Sequence, residues 1–162
     1  MVESACNFLT HHKSNPGDDT YLDRTAAIST EEGNLQAILL GTRTPTPTLV
    51  DALLVLARHH ESTRPRTDIV QYALDLMHRM ESNQGQLGDV LVCYGMICCR
   101  LNRYNDARAH YTAARSAFLS ISDVKRAAQC LIWLVGAYSH DSGDGDYGRN
   151  PERELIADAR AE

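Results

Sequence analysis

The sequence predicts an all-α fold, in which about six to seven helices form a short α-solenoid of antiparallel helical hairpins. Apolar residues recur at intervals of three and four along most of the 162-residue chain, which is the spacing of an amphipathic helix. The 5 Pro and 10 Gly fall mainly between these periodic segments, where they interrupt helices. The chain also aligns with itself, residues 51–57 on 89–95 and residues 131–135 on 91–95. Self-similarity at a spacing of about 40 residues is typical of stacked helical repeats.

Residues 1–46 are predicted to contain N-terminal helices and a linker. A short helix over residues 1–12 is followed by a segment, KSNPGDD, whose composition favours a loop. Ser29 and Glu32 have the spacing of a capping box. We therefore expect the next helix to cover about residues 30–40.

Residues 47–140 are predicted to form the helical repeats. Pro47 suits the first turn of a helix that starts after Thr46. Thr67 can cap the following helix, DIVQYALDLMHRME. The central unit is residues 87–121, which read as two amphipathic helices joined by a short turn.

The C-terminal part of the chain changes in composition. The last repeat helix is expected at about residues 124–139, where the longest apolar run lies. Residues 141–162 are predicted to be a glycine- and acid-rich loop followed by a polar C-terminal helix that begins at Pro151.

Large and small residues alternate at helical spacing in these repeats, which lets neighbouring helices approach closely. We assign repeat-stacking roles to Leu53, Leu56, Ala57, Ala73, Leu91, Tyr94, Gly95, Tyr104, Ala107, Tyr111, Ala114, Leu131 and Leu134. A bulky residue at the small positions would separate the helices, so these residues are interpreted as packing residues.

The central hairpin resembles a tetratricopeptide repeat (TPR). The resemblance is carried by Leu91, Tyr94, Gly95, Tyr104, Ala107, Tyr111 and Ala114. It departs from the family pattern at Cys98, where an aromatic residue is common, and in the absence of a Pro that closes the second helix. A TPR-like protein is expected to be a scaffold that binds other proteins.

Two longer phrases, AARSAFLSISDVKRAAQCLIWLVGAY and YLDRTAAISTEEGNLQAILLG, are similar to a narrower group. They resemble the C-terminal repeat region of basidiomycete fungal NLR-like proteins, in which a NACHT or other STAND NTPase precedes the repeats. The resemblance implies an adaptor and repeat array that is a fragment or paralogue of such a sensor. The sequence contains no GxxxxGK[ST] phosphate-binding loop, so no nucleotide site is proposed.

Charge and hydropathy exclude several classes of function. The net charge is -5, and the basic residues are scattered among acids, whereas nucleic acids and anionic membranes require clustered Lys and Arg. No stretch approaches the roughly 18 apolar residues of a membrane span. The five Cys are an odd number within helical segments and no secretory signal is recognised, so we expect reduced thiols and a cytoplasmic protein.

No motif carries convincing catalytic chemistry, so no enzyme activity, cofactor or metal is predicted. The adjacent pairs His11-His12 and His59-His60 are interpreted as surface polar residues, since neighbours on a helix point about 100° apart. The Cys residues form no CxxC pair. Cys98 and Cys130 are expected to be small core residues. A small metal- or redox-linked protein that uses Cys and His residues is kept as the alternative.

The first helices of stacked hairpins line a concave surface, and such grooves bind peptides or helices. Exposed partner-binding residues are predicted on this surface and beside it: Arg58, Asp89, Val92, Arg100, Asn102, Arg103 and Gln129. Arg100, Arg103 and Arg108 form a basic stripe that suits an acidic peptide, with Asp106 and Glu81 as the alternative partners within the chain. Self-association through the open end of the solenoid, near Trp133, is a further expectation.

Overall fold

The computed structural model describes residues 1–14, 17–80 and 83–141. Within these ranges the chain contains seven α-helices and no β-strand, which confirms the all-α prediction. The helices are α1 (Val2–His11), α2 (Tyr21–Leu40), α3 (Pro47–Thr63), α4 (Asp68–His78), α5 (Gln84–Arg100), α6 (Tyr104–Ser120) and α7 (Val124–Asp141). The predicted polar C-terminal helix and most of the loop before it lie outside the described residues.

The second helix begins nine residues earlier than the capping-box pattern predicted, at Tyr21 instead of Thr30. Ser29 and Glu32 are therefore interior residues of α2, and the capping-box prediction was wrong. The reason is tertiary packing, because Ile28, with an exposed fraction of only 4%, extends the buried side of α2 towards its N-terminus. Burial of an apolar stripe outweighs the small free energy of a local cap.

Other helix ends show which of the predicted caps and helix boundaries form in the structure. The side chain of Thr46 accepts a hydrogen bond from the Leu49 backbone N–H at 3.2 Å, and Pro47 occupies the first turn, as predicted. Thr67 takes the N-cap position of α4, but its side chain makes no cap hydrogen bond. The predicted helix from residue 68 ends earlier, at His78, because the next two backbone N–H groups bond three residues back and tighten the last turn.

The helices α5 and α6 pack against each other along their full length, and contacts between them establish their relative direction. The start of α5 lies against the end of α6, where Gly88 faces Phe118. Further along α5, Gly95 faces Tyr111, seven residues earlier in α6. The two helices are therefore antiparallel, and the missing side chains of the glycines make room for the aromatic rings.

The last helix also packs against α6. Tyr111 stacks on Trp133 with ring centroids 5.8 Å apart, and the Arg126 guanidinium lies over the Phe118 ring at 4.4 Å. As the residue number rises in α6 it falls in α7, so this pair is also antiparallel. A buried apolar core runs from Leu9 in α1 to Ala137 in α7. None of the described helices has the length and apolar character needed to cross a bilayer.

Candidate functional site

The residues predicted to bind a partner differ in their accessibility. Arg58, Asn102 and Gln129 are exposed, as expected. Asp89 is half-buried and accepts from Arg126 Nη1 at 3.1 Å. Val92 is only 6% exposed, so its predicted exposure was wrong. The reason is that α5 is packed against α3, α4 and α6 at once.

The predicted basic stripe is largely paired within the chain. Arg100 Nε donates to Glu61 Oε1 at 3.2 Å, and Arg103 Nη2 lies 2.6 Å from Asp106 Oδ2. Asp106 was one of the two internal partners expected. The Arg108 guanidinium lies 4.6 Å from the centre of the Tyr138 ring. Glu81, the other expected partner, lies outside the described residues. An acidic peptide would have to compete with these contacts, so the stripe is a weaker candidate than the sequence implied.

Most of the predicted stacking residues are buried; Tyr104 and Leu131 are half-buried. Tyr94 stacks on His110 with ring centroids 4.0 Å apart, and its hydroxyl donates to Gln71 Oε1 at 2.8 Å. Tyr104 stacks on His140 at 5.7 Å. These aromatic contacts join neighbouring helices.

The thiols lack the environment of reactive cysteines. Cys98 and Cys130 are fully buried, as predicted for core residues. Burial raises the pKa of Cys93 to about 12, and it raises the pKa of Cys98 and of Cys130 to about 11. The thiolate is the nucleophile and metal ligand, and these three thiols are held in the protonated form at neutral pH. Cys99 is half-buried, and its Sγ lies 3.7 Å from the Tyr111 hydroxyl.

One histidine pair departs from the sequence interpretation. His11 is exposed, but His59 and His60 are 7% and 0% exposed, so their assignment to the surface was wrong. His60 Nε2 lies 2.9 Å from Glu32 Oε1, and His59 Nε2 lies 3.9 Å from Glu32 Oε2. The Ser29 hydroxyl lies 3.3 Å from His59 Nε2. These four residues form a polar cluster that joins α2 to α3.

The cluster contains a buried nitrogen with no hydrogen-bond partner among the described residues, and the pKa of both of its histidines is shifted. In the described part of the chain, His60 Nδ1 is buried without a hydrogen-bond partner. Burial lowers the pKa of both His59 and His60, and the Glu32 carboxylate partly opposes that effect. A signal for His60 was present in the sequence, because it continues the buried stripe of Leu53 and Leu56 at helical spacing. The contact with Glu32 was not predicted, because Glu32 was assigned to a capping box at the start of the helix and lies inside α2 instead.

The cluster does not amount to a metal site. Over residues 1–14, 17–80 and 83–141, no three His, Cys, Asp or Glu side chains are placed together to hold a metal ion. A pair of imidazoles on one carboxylate is instead a structural contact between helices.

A groove with a volume of about 580 Å³ lies between α4, α5 and α6. It is lined by Leu74, His78, Gln84, Leu87, Leu91, Ala113, Ser116, Ala117 and Ser120. Leu87 and Leu91 are one helical turn apart, as are Ala113 and Ala117, so apolar side chains repeat along both walls.

Comparison of the chain with protein-family models, curated proteins and solved structures finds no match. The groove is therefore interpreted from its own shape and chemistry.

Proposed function

We propose that this chain is a non-enzymatic protein–protein interaction module, a TPR-like scaffold or adaptor that binds a peptide or a partner helix. The observation that carries the proposal is the apolar groove between α4, α5 and α6. Its two walls repeat at one-turn spacing, which complements the apolar face of an amphipathic helix. The groove residues replace the predicted basic stripe as the main binding surface.

Repeat stacking is the second part of the proposal. The antiparallel pairs α5–α6 and α6–α7 share the aromatic contacts described above. Side chains of α5 also donate hydrogen bonds to residues of α3 that lie 35 to 39 positions earlier. These contacts support a short α-solenoid of hairpins. The resemblance to fungal NLR-like repeat proteins supports an origin as a fragment or paralogue of such a sensor.

The five cysteines are free thiols, which supports a cytoplasmic location because disulfides form mainly in oxidising compartments. The metal- or redox-linked alternative receives less support. Three of the thiols are held protonated by burial, and the buried histidines contact a carboxylate rather than an open site.

The exposed face of α7 favours a second kind of partner, another copy of the chain. Ile132 and Val135 lie one turn apart on α7 and are 63% and 40% exposed. Large apolar side chains with this exposure mark surfaces that proteins cover by association. We therefore add self-association through α7 to the proposal.

The groove is tested with a library of displayed 16-residue peptides selected on the folded protein. The dissociation constant of a selected peptide is then measured by fluorescence anisotropy for the wild type and for Ala113→Arg. Ala113 is an exposed groove residue, so arginine there fills the groove without entering the core. We expect binding to weaken by about tenfold or more, since overfilling an apolar contact costs about 1–3 kcal/mol.

Ala26→Arg is the matched control, because Ala26 is equally an exposed helical alanine but belongs to α2. It should keep the wild-type affinity. Equal weakening by both variants, or selected peptides that bind wild type and Ala113→Arg alike, would exclude the groove as the binding site.

A further inference from the structure

A second, smaller pocket is lined by residues 12–14, which follow α1, and by residues of α2 and α3. Four of its lining side chains are of the basic type: His12, Lys13, Arg58 and His59. No carboxylate lines it, although the chain contains 21 Asp and Glu and has a net charge of -5. Basic side chains are thus concentrated at this pocket, although the protein as a whole is acidic.

The two permanent cations of this pocket are not neutralised within the described residues. Neither Lys13 nor Arg58 forms an ion pair there, whereas Arg100, Arg103 and Arg126 all do. The Arg58 side chain lies beside the Cys93 thiol, whose pKa is raised to about 12 by burial. That thiol is therefore uncharged at neutral pH and leaves the positive charge of Arg58 available.

The pocket also offers hydroxyl groups and a short apolar floor. Tyr21 and Thr25 line it from α2, while Ile28 and Val55 supply aliphatic surface. Hydroxyls beside cations add donors to an anionic ligand. Glu32, whose carboxylate lies 3.9 Å from His59 Nε2, is not among the residues that line the pocket.

Contacts with α1 and α2 hold His12 and Lys13 in place. Arg24 Nη1 donates to the Lys13 carbonyl at 2.8 Å. One residue earlier, the His12 ring is stacked on Phe8 with centroids 4.1 Å apart, and its Nδ1 lies 2.8 Å from the Phe8 carbonyl. The backbone position of Lys13 is therefore set by the folded structure before any ligand binds, which lowers the entropic cost of binding.

The size of the pocket limits the ligand. Its volume is about 40 Å³, whereas one water molecule requires roughly 10–15 Å³. The pocket has room for a group as large as about three to four water molecules. This volume suits a single small oxyanion and is too small for a nucleotide.

We propose that this pocket binds a phosphate-sized oxyanion through Lys13 and Arg58, with hydroxyls of α2 as further donors. The ligand chemistry is a phosphoryl group, supplied either as free phosphate or as a small phosphomonoester. The inference is independent of peptide binding in the apolar groove, because the two sites share no residue.

The proposal is tested by titrating the isotope-labelled protein with inorganic phosphate, with sodium chloride adjusted to keep ionic strength constant. We expect saturable shifts in the backbone amide signals of Tyr21, Thr25 and Val55. The double variant Lys13→Gln/Arg58→Gln should bind phosphate about tenfold more weakly or worse, because hydrogen bonds to charged groups are the stronger class. The single variant Lys13→Gln, at an exposed position, should show an intermediate loss.

Lys125→Gln/Arg64→Gln is the matched control, since it removes the same two types of charge from exposed positions outside the pocket. It should keep the wild-type affinity, and circular dichroism should show that all variants are folded. Shifts without saturation, or equal weakening by the control, would overturn the proposal.

A parallel titration with phenyl phosphate and with acetate separates the sources of the anion. Tighter binding of phenyl phosphate supports a phosphomonoester ligand, and tighter binding of inorganic phosphate supports the free ion. Acetate that binds more tightly than both would overturn the assignment to a phosphoryl group.

Discussion

Two glycines of α5 show how single residues set the distance between helices. A Cβ added at Gly95 would lie 2.4 Å from Tyr111 Cε1, and one at Gly88 would lie 2.4 Å from Phe118 Cε1. Both rings are almost completely buried, so neither can move aside easily. Glycine here is needed for close approach and not for an unusual backbone conformation.

Replacing Gly95 with Ala should therefore destabilise the fold. Alanine gains up to about 1 kcal/mol of helix propensity, but the clash with a buried ring costs about 1–3 kcal/mol or more. We expect a net loss in the free energy of unfolding, measured by urea denaturation with circular dichroism.

Gly33→Ala is the control for this substitution. Gly33 is also inside a helix, but nothing lies within 4 Å of an added Cβ, so only propensity acts. The variant should gain up to about 1 kcal/mol. A stabilised Gly95→Ala would show that α5 and α6 can separate without cost.

At the scale of the element, the docking of α2 on α3 involves two buried histidines whose pKa is lowered by burial. His59 and His60 of α3 meet the Glu32 carboxylate of α2, and burial lowers the pKa of both imidazoles. Arg66 and Asp68 also act on His60, with opposite sign. At pH values above 6.5, the ordinary histidine pKa, both imidazoles are therefore neutral when they contact Glu32.

The free energy of unfolding should fall as the pH is lowered from 7.5 to 5.5. The histidines of the unfolded chain are protonated at the ordinary histidine pKa, whereas those of the folded chain are protonated only at lower pH. The folded state is therefore destabilised relative to the unfolded state as the pH falls below 6.5. Each such histidine contributes at most about 1.4 kcal/mol per pH unit. Urea denaturation at several pH values measures this slope.

His60→Gln should reduce the slope, because one titrating group of the cluster is removed. The variant is compared with wild type by the change in stability with pH, so a general loss of stability does not affect the test. A slope that is the same in both proteins would show that His60 does not contribute to the acid sensitivity.

Across the whole molecule, polar side chains connect α3 to α5 and α5 to α7. The amide Nε2 of Gln86 donates to the Pro47 carbonyl at 2.8 Å and to Asp51 Oδ1 at 2.7 Å. Arg126 of α7 pairs with Asp89 of α5, 37 residues earlier. These separations agree with the offset of 38 residues in the self-alignment of the sequence. The contacts join α3, α5 and α7, whereas the apolar core supplies most of the stability.

Self-association through α7 should appear in sedimentation velocity as an average mass that rises with protein concentration. Ile132→Asp places a charge on the exposed apolar face and should keep the protein monomeric, since burying an unpaired charge is costly. Leu22→Asp is the control, because Leu22 is 77% exposed on α2. A wild type that stays monomeric over the whole concentration range would contradict the proposal.

Several features followed from the local pattern of residues. Helical periodicity predicted the all-α class, and the Thr46-Pro47 pair predicted the start of α3 correctly. The buried thiols Cys98 and Cys130 were also predicted, because they lie on apolar faces of their helices. Such features depend on spacing along one helix, which a sequence displays directly.

What the sequence by itself determined is the class of fold, most of the helices and the small residues at which helices can approach. Only the tertiary structure decided the start of α2, the burial of His59 and His60, the burial of Val92, and the pairing of Arg100 and Arg126 with residues of other helices. Each of these depends on a residue from another helix, and a contact between helices leaves no signal in the spacing of either one. For the same reason the apolar groove and the cationic pocket became visible only when α1 to α6 were placed together.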